Sequence, residues 1–215
     1  MSNASLFLLA ATLLLALGDW YSVAVDRRAA EYWFKPLTLM AMTALAVTMD
    51  HHDDQGLAVK VFFVVALLLS LMGDVLLMLP KEQFLGGLGM FLGAHIAYIG
   101  GLVISGQSLL WWLVGAAILL AALVVVGRRI MAAAAEKEPK LKIPVALYIG
   151  VISLMVASAI GTTVPLAMAG ALAFMVSDAL LGGGKFIGDL PGGRVAVHIT
   201  YHLGQLGLVL AIPSL

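Results

Sequence analysis

Eight long apolar segments separated by short links constrain this chain more than any other feature of its sequence. A helix that crosses a membrane needs roughly 20 mostly apolar residues, and fewer where the bilayer is thin. Only 11% of the residues are charged, whereas a soluble domain has about 25%. The sequence therefore predicts an all-α polytopic membrane protein, a single integral membrane domain over residues 1–215 with eight transmembrane helices. These cover residues 6–25, 32–49, 59–79, 84–104, 109–127, 143–160, 164–181 and 195–212.

The basic residues indicate how the helices are oriented. The first, third, fifth and seventh links, with the helix ends beside them, hold every Lys and Arg except Lys60. Basic residues concentrate on the cytoplasmic side of a membrane, so these links are predicted to be cytoplasmic and both termini to be outside. The longest link, 128–142, is predicted to be a solvated loop. The run HHDD at 51–54 is predicted to be a solvated loop on the opposite side.

Two apolar segments each carry one aspartate near their end. Asp74 lies in LLLSLMGDVLLM and Asp178 in LAFMVSDALLGG. A charge inside a membrane costs about 2.5–3.5 kcal/mol on insertion scales, so such residues are rarely kept without a function. Their places on the third and seventh helices predict a parallel internal repeat of four plus four helices. As a pair in one cavity, one carboxyl would stay protonated as a general acid and the other ionised. The alternative is that each pairs with a lysine or caps a helix.

Further polar side chains lie on or beside the same helices. His95 and Tyr98 share one face of the fourth helix, and a stripe with helical spacing runs along the eighth from His198 to Gln205. Such residues must face protein or water rather than lipid, which predicts a polar pocket for a phosphate head group. Interhelical hydrogen bonds and a zinc ion held by two histidines are alternatives. Asp19 and Lys35 would join the pocket or pair with each other. The candidate residues around the two aspartates are Asp19, Lys35, His95, Tyr98, Tyr148, Ser177, His198, Tyr201, His202 and Gln205.

Composition excludes some chemistries and leaves others open. The chain has no cysteine, which excludes disulfides, thiolate metal sites and a cysteine nucleophile, and its zero net charge gives no argument for a nucleic-acid partner. Two other functions fit paired intramembrane aspartates. One is a zinc-dependent membrane amidase or lipid hydrolase that uses the aspartates and histidines. The other is a small proton-coupled transporter, because paired acids and an internal repeat also occur in transporters.

Short motifs in a fixed order make the chain similar to the YhhN-like family of membrane proteins, the lysoplasmalogenases. They span about residues 19 to 205. The motifs are KP at 35–36, SLMGD at 70–74, GLGMF at 87–91 with His95 and Tyr98, Tyr148, FMVSD at 174–178, and Tyr201 followed by Gln205. His198 and His202 depart from the shared pattern, in which a second aromatic residue is expected at position 202.

The resemblance implies a lysoplasmalogenase-type ether hydrolase in a membrane, here the inner membrane of a bacterium, with its site toward the cytoplasm. The substrate would be a lysophospholipid whose 1-alkenyl chain is released as a fatty aldehyde, and an ether or epoxide lipid is an alternative substrate. A vinyl ether is cleaved by protonation of its β-carbon and capture of the resulting cation by water. Asp74 and Asp178 would supply the acid and the base. This chemistry needs no metal and no cofactor.

Overall fold

The computed structural model describes residues 1–51, 53–81 and 83–215. Within these ranges the chain forms eight long helices and no strand. The prediction for the run 51–54 includes His52, which lies outside the described residues. The helices are α1 (Asn3–Ala24), α2 (Arg28–Thr48), α3 (Asp54–Met78), α4 (Phe84–Ile104), α5 (Leu109–Lys137), α6 (Lys142–Gly161), α7 (Pro165–Phe186) and α8 (Gly193–Ala211).

Seven of these helices are long and apolar enough to cross a membrane. The remaining helix, α2, carries Arg28, Glu31 and Lys35 in its first turns, and these charges lower its mean hydropathy. The predicted all-α polytopic membrane fold is confirmed. The internal repeat and the placement of the termini stay predictions.

The structure corrects the predicted solvated loop 128–142. Helix α5 does not end at Gly127 but continues to Lys137, passing through a π turn at Leu123–Gly127. The residues after the π turn include an alanine-rich stretch, and alanine has the highest helix propensity. Ile130 and Ala134 lie one turn apart there and pack against Phe186 of α7. The apolar side of this segment is therefore buried, and the charges on its other side do not make it a loop.

Helices α7 and α8 form one of the two most extensive helix contacts, and α3 and α4 form the other. The close approach of α7 and α8 depends on small residues, as is common between membrane helices. A Cβ atom added at Gly204 would lie 2.7 Å from the backbone nitrogen of Phe174. More than half of α8 is buried inside the bundle, whereas α5 is almost entirely peripheral. Helix α8 thus carries its polar side chains into the interior.

Candidate functional site

A polar cavity of about 170 Å³ lies at the end of the bundle where α2 and α8 begin and where α3 and α7 end. Asp74 of α3 and Asp178 of α7 both line it. The two aspartates that the sequence singled out are thus brought to one cavity by helices far apart in the chain. The other charged or hydrogen-bonding side chains in its wall are Arg28, Glu31, Lys35, Ser177, Lys185, Arg194, His198 and Tyr201.

Asp74 is almost completely buried and has two partners in the cavity wall. Its Oδ1 lies 2.8 Å from Nζ of Lys35, and its Oδ2 accepts a hydrogen bond of 2.8 Å from the hydroxyl of Tyr201. The Lys35 ammonium also lies over the Tyr201 ring, 5.3 Å from its centroid. Lysine thus pairs with Asp74, and not with Asp19 as one alternative had it. A buried carboxylate with a cationic partner is well suited to hold a fixed negative charge.

Asp178 has partners of a different kind. The hydroxyl of Tyr148 donates to its Oδ2 at 2.5 Å, and Nε2 of His95 lies 3.2 Å from the same oxygen. Tyr148 and His95 also contact each other at 2.9 Å. Both contacts engage the same carboxylate oxygen, Oδ2.

Behind the cavity wall, Gln205 connects two tyrosines. The hydroxyl of Tyr98 donates to Oε1 of Gln205, and Nε2 of Gln205 lies 3.5 Å from the hydroxyl of Tyr201. Tyr98 and Gln205 are fully buried and do not line the cavity. They orient the hydroxyl that reaches Asp74. Ser177 does line the cavity, but its hydroxyl donates to the carbonyl oxygen of Val197 at 2.9 Å.

The histidines of α8 separate into two environments. Nδ1 of His198 lies 2.6 Å from Oδ2 of Asp19, and His198 lines the cavity. One turn later, Nδ1 of His202 accepts a hydrogen bond of 3.1 Å from the indole of Trp20, and His202 is not part of the cavity wall. In the part of the chain that the structure describes, no group of three or more His, Asp or Glu side chains is arranged to hold a metal ion.

Four charged residues of the cavity wall were missing from the sequence prediction. They are Arg28, Glu31, Lys185 and Arg194. Arg194 donates to Oε2 of Glu31 at 2.8 Å and to Oδ1 of Asp26 at 3.0 Å. A signal for two of them was present, because Glu31 precedes Lys35 by four residues and Arg194 precedes His198 by four. Residues four apart share a helix face.

A second cavity, of about 260 Å³, adjoins the polar one and has an almost entirely apolar wall. Helices α3 to α7 all contribute to it, and Tyr148 and Asp178 are among its few polar residues. The residues shared by both cavities are Leu77, Phe84, Phe91, Asp178 and Leu181. Asp178 therefore lies where a polar compartment meets an apolar one.

Comparison with known proteins identifies the family. The family model of YhhN matches residues 30–212, which is most of the chain. The chain belongs to the YhhN family. The matched range includes both aspartates and Lys35, whereas Asp19 and Arg28 precede it.

Several curated proteins resemble this YhhN-family chain. It is 35% identical over 131 residues to proteins named lysoplasmalogenase from Mycobacterium bovis and Mycobacterium tuberculosis, which covers 59% of this chain and 50% of each relative. It is 32% identical over 87 residues to a membrane protein named YhhN from Escherichia coli, which covers 39% of this chain and 40% of that protein. The chain thus spans about half the length, or less, of the curated relatives it matches. No solved structure matches it.

Proposed function

We propose that this YhhN-family protein hydrolyses the vinyl ether bond of a lysoplasmalogen and releases a fatty aldehyde and a glycerophospho-ethanolamine or -choline. The observation that carries the proposal is the position of Asp178 at the junction of a polar and an apolar cavity. The relatives named lysoplasmalogenase support the same reaction. The proposal does not depend on their names alone, because the two cavities match the two ends of such a lipid.

A lysoplasmalogen has one hydrocarbon chain joined through the vinyl ether to a glycerol that carries a phosphate head group. The chain would occupy the apolar cavity. The phosphate would lie in the polar cavity, where Arg28, Lys35 and Arg194 contribute positive charge. The bond to be cleaved joins these two parts, and this placement brings it to Asp178. The substrate would enter sideways from the membrane, so that its chain never crosses water.

Asp178 is the better candidate for the acid that protonates the β-carbon. Its partners are a tyrosine hydroxyl and an imidazole, and both contact the same oxygen. It also borders the apolar cavity, where a neutral carboxyl is less costly than a charged one. The proton on the remaining oxygen, Oδ1, would face the double bond.

Asp74 is the better candidate for the negative charge that stabilises the oxocarbenium ion and orients the attacking water. Lys35 and Tyr201 hold it in one position in the same cavity. A charge fixed in this way needs no reorganisation as the cation forms, which is the basis of electrostatic catalysis. General acid catalysis contributes about 10²–10⁴-fold to the rate, and this fixed charge would supply much of the remainder.

The proposed site lies at the end of the bundle that the basic residues predict to be cytoplasmic. A bacterial inner membrane with the site open toward the cytoplasmic leaflet is therefore the proposed location. The lysophospholipid and the surrounding membrane lipids are the proposed partners.

The deciding experiment measures aldehyde release from a 1-alkenyl lysophospholipid by the purified protein in detergent. Asp74→Asn and Asp178→Asn would be assayed beside wild type, and Asp189→Asn, an exposed aspartate outside both cavities, is the matched control. We expect aldehyde from wild type and from the control, and a large loss in the other two. A chelator should have no effect.

Three results would contradict this proposal. Folded Asp74→Asn and Asp178→Asn that keep near-normal turnover would remove the two aspartates from the mechanism. Turnover abolished by a chelator would move the chemistry to a metal. No aldehyde from wild type would exclude this substrate class, and uptake into proteoliposomes would then test the transporter.

A further inference from the structure

A buried carboxylate–imidazole pair forms part of the wall of the polar cavity. Oδ2 of Asp19, on α1, lies 2.6 Å from Nδ1 of His198, on α8. Asp19 is fully buried, and His198 is 6% exposed. An ionised carboxylate can only accept a hydrogen bond, so the proton of a neutral His198 is on Nδ1. The other ring nitrogen, Nε2, then carries a lone pair.

The surroundings of His198 leave that lone pair available to the cavity. His198 lines the cavity that contains Asp74 and Asp178. Oε1 of Glu31 lies 3.7 Å from Nε2, beyond hydrogen-bond distance, and Glu31 is engaged by Arg194 through its other oxygen at 2.8 Å. An imidazole anchored through Nδ1 to a buried carboxylate, with Nε2 toward the reactants, is the arrangement that serves as a general base in hydrolytic triads.

Neither aspartate of the proposed mechanism is as well placed to take a proton from water. Asp74 uses one oxygen in its ion pair with Lys35 and the other to accept from Tyr201. Asp178 has the task of delivering a proton. A third group is therefore needed when the attacking water loses its own proton, and His198 is in the same cavity.

We propose that His198, held by Asp19, is the general base that deprotonates the attacking water in this site. The proposal rests on the function proposed above and adds a residue to it. Asp19 acts as a positioning residue, since it fixes the tautomer and the orientation of the ring.

The proton transfers balance over one cycle. Asp178 gives its proton to the β-carbon, and the α-carbon becomes an oxocarbenium ion. Water adds to that carbon and gives a proton to Nε2 of His198, which forms a neutral hemiacetal. Protonated His198 then returns this proton to the glycerol oxygen as the carbon–oxygen bond breaks. The hemiacetal hydroxyl gives its proton to Asp178, and the aldehyde is released with both residues reset.

The neighbouring histidine provides a matched control. His202 lies one turn from His198 on the same helix and is also buried, but its Nδ1 accepts from Trp20 and it does not line the cavity. A small base added to the solution can replace His198 in a cavity, but it has no such site at position 202.

The experiment measures aldehyde release by wild type, His198→Ala, Asp19→Asn and His202→Ala, each with and without added imidazole. We expect His198→Ala to lose about 10²–10⁴-fold in turnover, the range typical of general acid–base catalysis. Imidazole should restore part of that turnover in proportion to its concentration. Asp19→Asn should lose activity without rescue, because the amide donates to Nδ1 and leaves the proton on Nε2. Any loss in His202→Ala should be unaffected by imidazole.

Turnover of folded His198→Ala within threefold of wild type would overturn the proposal, and so would a loss that imidazole does not reduce. If His198→Ala does not fold, His198→Asn replaces it, because its amide can still donate to Asp19 while offering no base. Full activity of folded His198→Asn would again overturn the proposal, and loss with normal folding would support it. The two tests are distinguishable. The proposed function is contradicted by wild type that releases no aldehyde, by turnover that a chelator abolishes, or by turnover that survives Asp74→Asn and Asp178→Asn, whereas the His198 variants test only the general base.

Discussion

Asp74 and Asp178 lie in similar sequences and in very different surroundings. Each lies near the end of an apolar helix segment, directly after a small residue, and each lines the polar cavity. Asp74 pairs with a lysine and a tyrosine, whereas Asp178 pairs with a tyrosine and a histidine and also borders the apolar cavity. The neighbouring helices, and not the local motif, therefore determine what a buried carboxyl can do. The same residue type can hold a charge in one place and carry a proton in the other.

Among the variants of the two aspartates, Asp178→Asn should reduce activity most. Turnover should fall by about 10²–10⁴-fold, because an amide has no acidic proton to give to the double bond. Its thermal unfolding temperature in detergent should stay close to that of wild type, since the amide oxygen can still accept from Tyr148. A folded variant with more than a tenth of wild-type turnover would show that Asp178 is not the acid.

Asp74→Asn should lower turnover, and unlike Asp178→Asn it should also destabilise the protein. It leaves the Lys35 ammonium buried without its counter-ion, and breaking a buried ion pair in this way costs about 3–5 kcal/mol. The double variant Asp74→Asn with Lys35→Met should regain most of the lost stability and none of the lost activity. The free energy of unfolding of the two single variants and the double variant in detergent measures this coupling. Equal free energies of unfolding for Asp74→Asn and Asp178→Asn would contradict the view that only Asp74 is held in a stabilising ion pair.

The two tyrosines offer a finer comparison. Each hydroxyl donates to an aspartate. The hydrogen bond from Tyr201 to the charged Asp74 should be worth about 1.5–3 kcal/mol, and the one from Tyr148 to a neutral Asp178 about 0.5–1.5 kcal/mol. Tyr201→Phe should mainly lower stability, because it weakens the fixed position of Asp74. Tyr148→Phe should mainly lower kcat, because it changes the surroundings of the proposed acid. Parallel measurement of kcat and unfolding temperature checks this, and an identical response of both variants would contradict it.

A substitution in the apolar cavity beside Asp178 should have the smallest effect, and it tests whether the lipid chain binds there. Ala179 lines the apolar cavity but not the polar one, so Ala179→Trp would fill space that a lipid chain needs. A loss of about 1.4 kcal/mol of binding free energy weakens binding tenfold, so the apparent KM for a long-chain substrate should rise about tenfold. A short-chain substrate should be affected less. If the apparent KM rises equally for every length of the lipid chain, then the lipid chain does not occupy this cavity.

Most of the fold and part of the candidate site could be predicted from the sequence. Eight apolar segments predicted eight helices, because the thickness of the membrane sets a length that hydropathy detects. The continuation of α5 to Lys137 escaped prediction, since its charged face resembles a loop until Ile130 and Ala134 are seen to be buried.

Contacts between distant helices were the part that the sequence could not provide. Spacing placed His198 and His202 on one helix face, but it could not show that Asp19 lies beside the first and Trp20 beside the second. Lys35 had two candidate partners within the predicted site, and only the packing of α2 against α3 and α8 shows that Asp74 is the one. The YhhN resemblance named Lys35, Asp74 and Asp178, which line one cavity, but partners across helices follow from tertiary packing.

The apolar cavity opens toward the lipid-facing surface, since Val126 and Val176 in its wall are each nearly half exposed. A lipid chain that moves from the bilayer into this cavity exchanges one hydrocarbon environment for another. The hydrophobic effect therefore contributes little to the free energy of its binding. Discrimination between substrates must then come from the head group and from the shape of the cavity. For the proposed lysolipid substrate, the effective concentration would be its mole fraction in the membrane. Diluting that lipid with inert bilayer should then slow the reaction even when the bulk concentration is unchanged.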